Sequence, residues 1–229
     1  MAKRIFITGT DTGIGKTWFS QALVQALVSG GQRVAVMKPV ASGATKANGM
    51  LRNEDALMLQ RVANVEAPYE QINPYCFEPA IAPHLAARDA GVSINLQTIA
   101  DSAEYLAKQS EWLIIEGVGG VMVPLNETQD VVELIARLDC SVILVVGVRL
   151  GCINHARLSA KALVDAGINC LGWIGNCIDT GMPKLRENLD TLQGRMTIPA
   201  LGVLPYASAP DTDKYVAAMT PVIDKILES

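Results

Sequence analysis

A glycine-rich segment that ends in one lysine and one threonine is the clearest chemical motif in the sequence. Residues 9–17 read GTDTGIGKT, follow an apolar run at residues 4–8, and open a helical pattern at residues 16–29. Glycines let backbone N–H groups converge on phosphate oxygens, and a helix N-terminus adds a favourable field. Lys16 can reach β- and γ-phosphates, and the Thr17 hydroxyl can ligate magnesium. The spacing GxxxxxGKT is one residue longer than the ordinary P-loop, and alone it indicates only a nucleoside triphosphate site, not a ligase, a kinase or a switch.

Two charged residues stand at the ends of later predicted strands. Lys38 closes an apolar run at residues 33–37, and Glu116 follows another at residues 112–115. The carboxyl ends of parallel strands face the crevice in which such sheets bind ligands. Lys38 could there neutralise a transferred phosphoryl group or hold an anionic nucleophile, and a solvent-exposed lysine is the alternative. Glu116 could ligate magnesium, directly or through water, with a helix or turn cap as the alternative.

A third acidic candidate and the two histidines carry weaker signals. Asp55 lies at a predicted helix start, where Asp and Asn are preferred caps, so the residues alone favour a capping role. Glu54 competes with it for any metal role. His84 and His155 have no neighbouring residues that would form a metal cluster or a nucleophile–histidine pair. We therefore predict that both histidines are structural or surface residues.

Short apolar runs alternate with helix-length segments along the chain. The runs are apolar almost throughout, as expected when helices cover both faces of a parallel sheet. We predict an α/β fold with a doubly wound, mostly parallel sheet of the P-loop NTPase type, in a single domain over residues 1–229. Residues 41–53 and 73–83 are predicted to be irregular connections. The predicted strands are residues 4–8, 33–37, 112–115, 142–146, 171–176 and 201–204, and the predicted helices are residues 16–29, 55–63, 96–108, 131–137, 153–166, 183–192 and 213–227.

Composition and charge limit the classes of partner. The 229 residues are 50% hydrophobic and carry a net charge of −4, without a basic patch, which argues against a nucleic-acid partner. No apolar run approaches the roughly 20 residues of a membrane span, and the first run is too short for a signal peptide. The five cysteines form no CxxC pair and are predicted to be reduced thiols. We expect a cytoplasmic protein with no nucleic-acid or membrane partner.

Several sequence blocks, in this order, resemble the dethiobiotin synthetase family. Besides the loop, KPVASG begins at Lys38 and VVGVRLGCINHA covers residues 145–156, and both blocks are more specific than the loop. The blocks extend from residue 5 to about residue 180, and the chain length also agrees. The others are RNEDAL at residues 52–57, NPY at residues 73–75, Pro83-His84, and WLIIEGVGG at residues 112–120.

The resemblance implies an ATP-dependent ligase of biotin synthesis that uses Mg²⁺ and acts as a homodimer. One amine of 7,8-diaminononanoate would form a carbamate with CO₂, supplied by bicarbonate. The carbamate oxygen would attack the γ-phosphate, and the second amine would displace phosphate and close the ureido ring of dethiobiotin. Carbamate and triphosphate are both anions, and Lys16, Lys38 and magnesium can bring them together.

The resemblance also assigns roles residue by residue. Asp55 becomes a magnesium ligand together with Thr17 and Glu116, against the cap favoured by its own position. Lys16, Lys38 and Thr12 are implied in catalysis, and Thr12 and Ser42 line the carbamate or phosphate side. The residues implied at the nucleotide are Asp11, Thr12, Gly13, Ile14, Gly15, Lys16, Thr17 and Asn176, the last at the adenine. Backbone N–H groups of Gly151, Cys152, Ile153 and Asn154, of the same or the partner subunit, would hold the substrate carboxylate; for Asn154, a simple N-cap is the alternative.

Two positions depart from the family pattern. Gly13 stands where some members carry a glutamate in the phosphate loop, so that carboxylate is absent. Asn188 stands where a tyrosine helps to bind substrate in at least one member.

Three rival functions remain at this level. A regulatory or partitioning ATPase shares the predicted fold but usually carries a signature lysine where this chain has Asp11. An amide-forming ligase for cobyrinate-like acids usually adds a glutamine-hydrolysing domain, for which this chain is too short. A small-molecule kinase would stop at phosphoryl transfer.

Overall fold

The computed structural model describes residues 2–207, 215, 216, 219 and 222–226. Within these residues no helix is long and apolar enough to cross a membrane. Of the helix predicted at residues 213–227, the described positions are helical and the others lie outside the described residues. The elements are β1 (Lys3–Gly9), α1 (Lys16–Ser29), β2 (Val34–Met37), β3 (Val40–Ser42), β4 (Thr45–Ala47), β5 (Met50–Arg52), α2 (Glu54–Val62), α3 (Tyr69–Ile72), β6 (Tyr75–Phe77), α4 (Pro83–Asp89), α5 (Leu96–Ala107), β7 (Trp112–Glu116), α6 (Val131–Leu138), β8 (Ser141–Val148), α7 (Cys152–Asp165), β9 (Cys170–Cys177), α8 (Leu185–Arg195) and β10 (Ala200–Leu204).

The central sheet has six strands in the order β10-β9-β8-β1-β7-β2, and every pairing in it is parallel. Parallel strands need crossover connections, and helices supply most of those connections here. All six strands predicted from apolar runs are present, and α1 begins and ends where the pattern predicts. The prediction of a doubly wound, mostly parallel α/β sheet is confirmed.

Helices cover both faces of the sheet because both faces of its strands are apolar. In β1, Ile5 and Ile7 face a cluster that contains Phe19 and Leu23 of α1, whereas Phe6 faces a separate cluster built mainly on α4, α5 and α6. A third cluster packs α7 and α8 against β8 and β9. Successive strand residues therefore point to different cores, which explains why these runs show no polar alternation.

The prediction of an irregular connection at residues 41–53 is wrong in its detail. The segment begins at the end of β3, which pairs in parallel with β6, and continues as an antiparallel hairpin of β4 and β5. Asn48 and Gly49 form the two-residue turn with φ angles of 52° and 80°, as Asn-Gly turns in hairpins require. Because the hairpin is largely exposed, its strands lack the apolar alternation that would have predicted them. The connection at residues 73–83 likewise contains the short strand β6.

The sheet order brings several chain segments to one edge. β1 lies between β7 and β8, and β7 separates β1 from β2. Ile7 is in register with Glu116, and Met37 is in register with Ile115. The loop after β1, the lysine after β2 and the glutamate that ends β7 therefore meet at the carboxyl edge, where such sheets bind ligands.

Candidate functional site

The glycine-rich segment forms a loop between β1 and α1, as the motif predicts. Gly13 and Gly15 have φ angles of 72° and 86°, in the left-handed region that glycine adopts without strain. A Cβ on Gly15 would also lie 2.2 Å from Nδ2 of Asn176, so a side chain there would require Asn176 to move. The Lys16 ammonium donates to the backbone carbonyl of Asp11 at 2.8 Å, which folds the lysine back over the loop.

Lys16 lies in an environment that weakens its hold on a proton. Burial, and after it the charge of Lys38, together lower its pKa to about 8, against the opposing effect of Glu116, Asp55 and Asp11. An anion beside this ammonium would favour the charged form and reverse part of the shift. The site is thus electrostatically suited to receive a phosphate group.

Lys38 is buried beside two carboxylates, so the alternative of a solvent-exposed lysine is wrong. Only 4% of the residue is exposed. Its ammonium donates to Oε1 of Glu116 at 2.7 Å and to the carbonyl of Gly117 at 3.1 Å, and lies 3.3 Å from Oδ2 of Asp55. Burial alone would lower the pKa of Lys38, but the two carboxylates outweigh burial and raise it. Lys38 therefore remains a cation.

Glu116 is the last residue of β7 and joins the phosphate loop to Lys38. Its Oε1 accepts hydrogen bonds from Thr17 Oγ1 at 2.9 Å and from Lys38 Nζ at 2.7 Å. The interpretation of Glu116 as a cap is wrong, because its carboxylate contacts these two side chains inside the sheet edge. Oε2 is buried and has no hydrogen-bond partner in the part of the chain that the structure describes. A buried, unpaired carboxylate oxygen is costly unless a cation or donor completes it.

Asp55 does not cap α2. The N-cap is Asn53, whose Oδ1 accepts from the backbone N–H of Ala56 at 3.2 Å, and Asp55 is the second residue of the helix. The Asp55 carboxylate instead turns toward Lys38 and is partly exposed to the cleft. The described residues contain no group of three or more His, Cys, Asp or Glu side chains placed to hold a metal. A magnesium site here would combine two carboxylates with a hydroxyl and phosphate oxygens, a donor set that Mg²⁺ commonly accepts.

These groups line a cleft of about 900 Å³. Most of the residues expected at the site line it, whereas Asp11 and Ile14 contribute to the loop without lining the cleft. The Ser42 hydroxyl, which lies along the wall, is buried and unpartnered within the described residues. The lining residues that were expected from the sequence are Thr12, Gly13, Gly15, Lys16, Thr17, Lys38, Ser42, Asp55, Glu116 and Asn176.

The wall of the cleft also includes apolar and aromatic residues, and of the four named here only Pro83 belongs to a sequence block that resembles the family. Ile81 and Pro83 precede or begin α4, Val123 follows the glycine turn after β7, and Tyr206 follows β10. Ile81, Val123 and Tyr206 lie in connections rather than in periodic elements, so no hydrophobic pattern indicates them. Ile81 is 42% exposed, an unusual exposure for isoleucine that becomes visible only in the structure.

Asn176 lies near the end of β9, which is on the other side of β1 from β2, the strand that Lys38 follows. Its Nδ2 donates to the backbone carbonyl of Ile14 at 2.7 Å, and its Oδ1 is buried without a partner among the described residues. Because a carbonyl can only accept, Nδ2 is fixed toward the loop and Oδ1 is left as an acceptor. The side chain thus braces the loop and leaves one acceptor without a partner among the described residues.

The expected substrate-carboxylate residues lie elsewhere on the chain. Gly151, Cys152, Ile153 and Asn154 are at the start of α7 and do not line the cleft. Gly151 is the N-cap, with a φ of 95°, and Asn154 is the third helical residue, so the alternative of an Asn154 cap is wrong. Leu150 beside them is 88% exposed. Within one chain, this helix start therefore does not face the cleft, although Arg149 just before it pairs with Asp11 of the phosphate loop.

Asp11 has a contact that no sequence pattern indicates. Its carboxylate pairs with Arg149, which follows β8, and accepts from the backbone N–H of Thr12 at 2.7 Å. The phosphate loop is thereby connected to the segment that leads into α7. Asn188, one of the two departures from the family pattern, lies on α8 and bonds to the carbonyl of Lys184 rather than lining the cleft.

Comparison with known proteins gives one matching family and close relatives. Residues 3–212 match the AAA domain family. The chain is 48% identical over 201 residues to the ATP-dependent dethiobiotin synthetase BioD of Xylella fastidiosa strain Temecula1, covering 88% of this chain and 89% of that protein. It is 47% identical over 206 residues to the enzyme of the same name from Xanthomonas euvesicatoria, covering 90% and 92%.

Solved structures with a similar fold come from a different functional class. The MinD cell division protein of Aquifex aeolicus aligns with a TM-score of 0.58 at 16% identity, covering 98% of this chain and 91% of that one. The cell division ATPase MinD of Pyrococcus furiosus aligns with a TM-score of 0.58 at 18% identity, covering 100% and 99%. At such identities the likeness shows the P-loop α/β fold and nothing more.

Proposed function

The chain belongs to the AAA domain family and, within it, to the ATP-dependent dethiobiotin synthetases, and from that premise we propose the following use of its cleft. The protein is an ATP-dependent cyclo-ligase. It joins CO₂ to the two neighbouring amines of 7,8-diaminononanoate and releases dethiobiotin, ADP and phosphate.

One observation carries the proposal: two ammonium groups and two carboxylates line a single cleft. Lys16 and Lys38 supply the positive charge, and Glu116 and Asp55 lie beside Lys38. Two anionic reactants, a triphosphate and a carbamate, repel each other in water. A buried pair of cations lowers that repulsion and stabilises charge in the transition state.

The residues would act in three steps. Lys16 and the loop N–H groups hold the triphosphate, while Lys38 attracts the carbamate formed on one amine. The carbamate oxygen attacks the γ-phosphorus, the bond to ADP breaks, and a carbamic-phosphoric anhydride forms. The second amine then attacks the carbonyl carbon and phosphate leaves, which closes the ring. Thr12 and Ser42 line the space in which these reactants would meet.

Magnesium fits the residues present. Glu116 Oε2 is a buried acceptor with no partner among the described residues, the Thr17 hydroxyl contacts Glu116 Oε1, and the Asp55 carboxylate shares the Lys38 ammonium with Glu116. We propose that Thr17, Asp55 and Glu116 hold Mg²⁺ with the nucleotide. The ion would supply positive charge to the β- and γ-phosphate oxygens. The Lys38 ammonium, which contacts both carboxylates, would then have a weaker hold on them and greater freedom to bind the carbamate.

The α7 helix start supports a proposal of dimeric action. Gly151, Cys152, Ile153 and Asn154 lie outside the cleft of their own chain, and the neighbouring Leu150 and Leu158 are exposed. A second copy of the chain would cover these leucines and bring the N–H groups of α7 to the diamine carboxylate. All five cysteines are free, which suits the reducing cytoplasm in which we propose that the enzyme works.

The test is a reconstituted reaction with protein, MgATP, bicarbonate and the diamine. Phosphate release should require both bicarbonate and diamine, and the product should be about 26 mass units heavier than the diamine, as addition of CO₂ and loss of water dictate on the phosphoryl-transfer route. Hydrolysis of ATP that is indifferent to both substrates would instead indicate a partitioning-type ATPase. Phosphorylated diamine that never closes would indicate a kinase.

A further inference from the structure

Asn73 ties the backbone of Lys38 to a neighbouring segment. Its Nδ2 donates to the carbonyl of Lys38 at 2.6 Å and to the carbonyl of Tyr75 at 3.2 Å, and its Oδ1 accepts from the Tyr69 hydroxyl at 3.1 Å. Both Nδ2 partners are carbonyls, so the orientation of the amide follows from its contacts. Asn73 is 3% exposed. A buried amide with its groups paired in this way resists displacement of its partners.

The Tyr69 hydroxyl continues the connection to the start of α2. It accepts a hydrogen bond from the backbone N–H of Asn53 at 2.8 Å while donating to Asn73. Burial raises the pKa of Tyr69 to about 12, so the hydroxyl keeps the proton that it donates. Arg52 packs over the Tyr69 ring, with its guanidinium carbon 4.1 Å from the ring centroid.

These bonds form a closed path with the charged pair in the cleft. Asn53 is the N-cap of α2, Asp55 follows two residues later, and the Asp55 carboxylate lies 3.3 Å from the Lys38 ammonium. The N–H of Lys38 donates to the carbonyl of Ile72 at 2.8 Å, so residues 69–73 hold both backbone groups of Lys38. The same short segment therefore fixes the backbone position of Lys38 and the start of the helix that carries Asp55.

We infer that Tyr69 and Asn73 are positioning residues that set the geometry of Lys38 relative to Asp55 for the ligase reaction. This inference deepens the proposed function and rests on it. Neither residue lines the cleft, so they act through the backbone of Lys38 and the N-cap of α2. Displacement of reacting groups by about an ångström can cost up to about 100-fold in rate, so the loss of these positioning hydrogen bonds should have a measurable effect on turnover.

The test variant is Tyr69→Phe, which removes one hydroxyl and keeps the ring over which Arg52 lies. Asn53 then loses its acceptor and Asn73 loses its donor. We expect kcat to fall by about 10- to 100-fold. The affinity for ATP measured in chelator should stay within about twofold, because without magnesium the nucleotide depends on the phosphate loop, which keeps all its contacts.

Tyr75→Phe is the matched control. The Tyr75 hydroxyl accepts from the backbone N–H of Asn95 at 3.0 Å, and Asn95 is the N-cap of α5, a helix that contributes nothing to the cleft. Each variant thus removes a tyrosine hydroxyl that accepts a hydrogen bond from the backbone N–H of a helix N-cap residue. Tyr75→Phe should keep kcat within about twofold of the unchanged protein, which separates positioning from a general loss of stability.

A double-mutant cycle with Asp55→Asn tests the path of the effect. If Tyr69 acts by positioning Asp55 against Lys38, adding Tyr69→Phe to Asp55→Asn should cause little further loss of kcat. Additive losses, or equal losses of kcat in Tyr69→Phe and Tyr75→Phe, would overturn the inference. So would a Tyr69→Phe enzyme with unchanged kcat.

Backbone hydrogen exchange of the free protein gives a readout that needs no turnover. Tyr69→Phe should speed exchange at residues 53–56, and Tyr75→Phe should leave exchange there unchanged. If the unchanged protein made no dethiobiotin, the proposed function would fail, while the exchange result would still report on the hydrogen bonds of Tyr69. If it made dethiobiotin and exchange at residues 53–56 was the same in both variants, the inference alone would fail.

Discussion

The ammonium of Lys38 lies 2.7 Å from the carboxylate of Glu116, although 78 residues separate them along the chain. β7 lies beside β2 in the sheet, and the two residues stand at the same edge. Both side chains are buried, so each charge depends on the other for compensation. The pair therefore combines a stabilising contact with the charges that the proposed chemistry uses.

Replacing Lys38 should separate these two contributions. Lys38→Ala removes a cation that would stabilise the transition state, so we expect turnover to fall by about 10²–10³-fold. It also leaves Glu116 buried without its cation, which should lower the free energy of unfolding by about 3–5 kcal/mol. Steady-state kinetics and chemical denaturation measure the two effects. A variant with near-normal turnover would contradict the role proposed for Lys38.

The double variant Lys38→Met with Glu116→Gln controls for stability. It removes both buried charges, so denaturation should show most of the lost stability restored, whereas activity should remain lost. Lys161→Ala controls for the loss of any lysine, because within the described part of the chain Lys161 pairs only with the exposed Asp165 on α7. That variant should change the free energy of unfolding by less than about 1 kcal/mol.

Nucleotide binding should depend on pH through Lys16. Its pKa in the free protein is about 8 against an ordinary 10.5, so the lysine is charged below pH 8 and increasingly neutral above it. Phosphates favour the charged form, so binding above pH 8 must take up a proton, and affinity should fall by up to about tenfold per pH unit there. Calorimetry of ATP binding in chelator, in buffers of different ionisation enthalpy, measures both the affinity and the proton uptake.

Lys16→Arg is the control for this pH dependence. The guanidinium stays charged throughout the range, so the affinity of that variant should show no break near pH 8. An affinity of the unchanged protein that is flat from about pH 7 to about pH 9.5 would be inconsistent with a lysine of lowered pKa at the phosphates.

Asn176 should discriminate between bases by their hydrogen-bonding edge. Its Oδ1 is a buried acceptor without a partner among the described residues, because Nδ2 donates to the carbonyl of Ile14. A base with an amino group can donate to it, whereas the carbonyl of inosine at the same position cannot. We expect KM to be about 10- to 100-fold higher for ITP than for ATP. Asn176→Ala should reduce that ratio toward one, and a ratio that survives the substitution would assign the selectivity to another group.

The loop glycines should differ in their tolerance of a side chain. Gly13 and Gly15 both have positive φ, so alanine strains either position, but only at Gly15 would the Cβ meet Asn176 Nδ2, at 2.2 Å. Gly15→Ala should therefore weaken ATP binding by about tenfold or more relative to Gly13→Ala. Equilibrium titration of both variants measures the difference. Equal affinities would show that the backbone strain, not the contact, dominates.

Local pattern was sufficient to predict much of the fold. The apolar runs of the six sheet strands and the helix that begins at Lys16 follow from hydrophobic periodicity and from the loop motif, and the structure confirms them. The exposed hairpin around Asn48-Gly49 was missed because its strands have no buried face and therefore show no alternation of apolar and polar residues. Only its turn residues marked it.

Residue type and position along the chain determined by themselves that a triphosphate loop, a strand-end lysine and a strand-end glutamate are present. Only the tertiary structure decided that Lys38 is buried rather than solvated, that Asp55 faces it while Asn53 caps the helix, and that Tyr69 and Asn73 support both. The physical reason is that helix and strand formation depends on the pattern of a few residues that are neighbours in sequence. Burial and charge pairing depend instead on which strands become neighbours in the sheet.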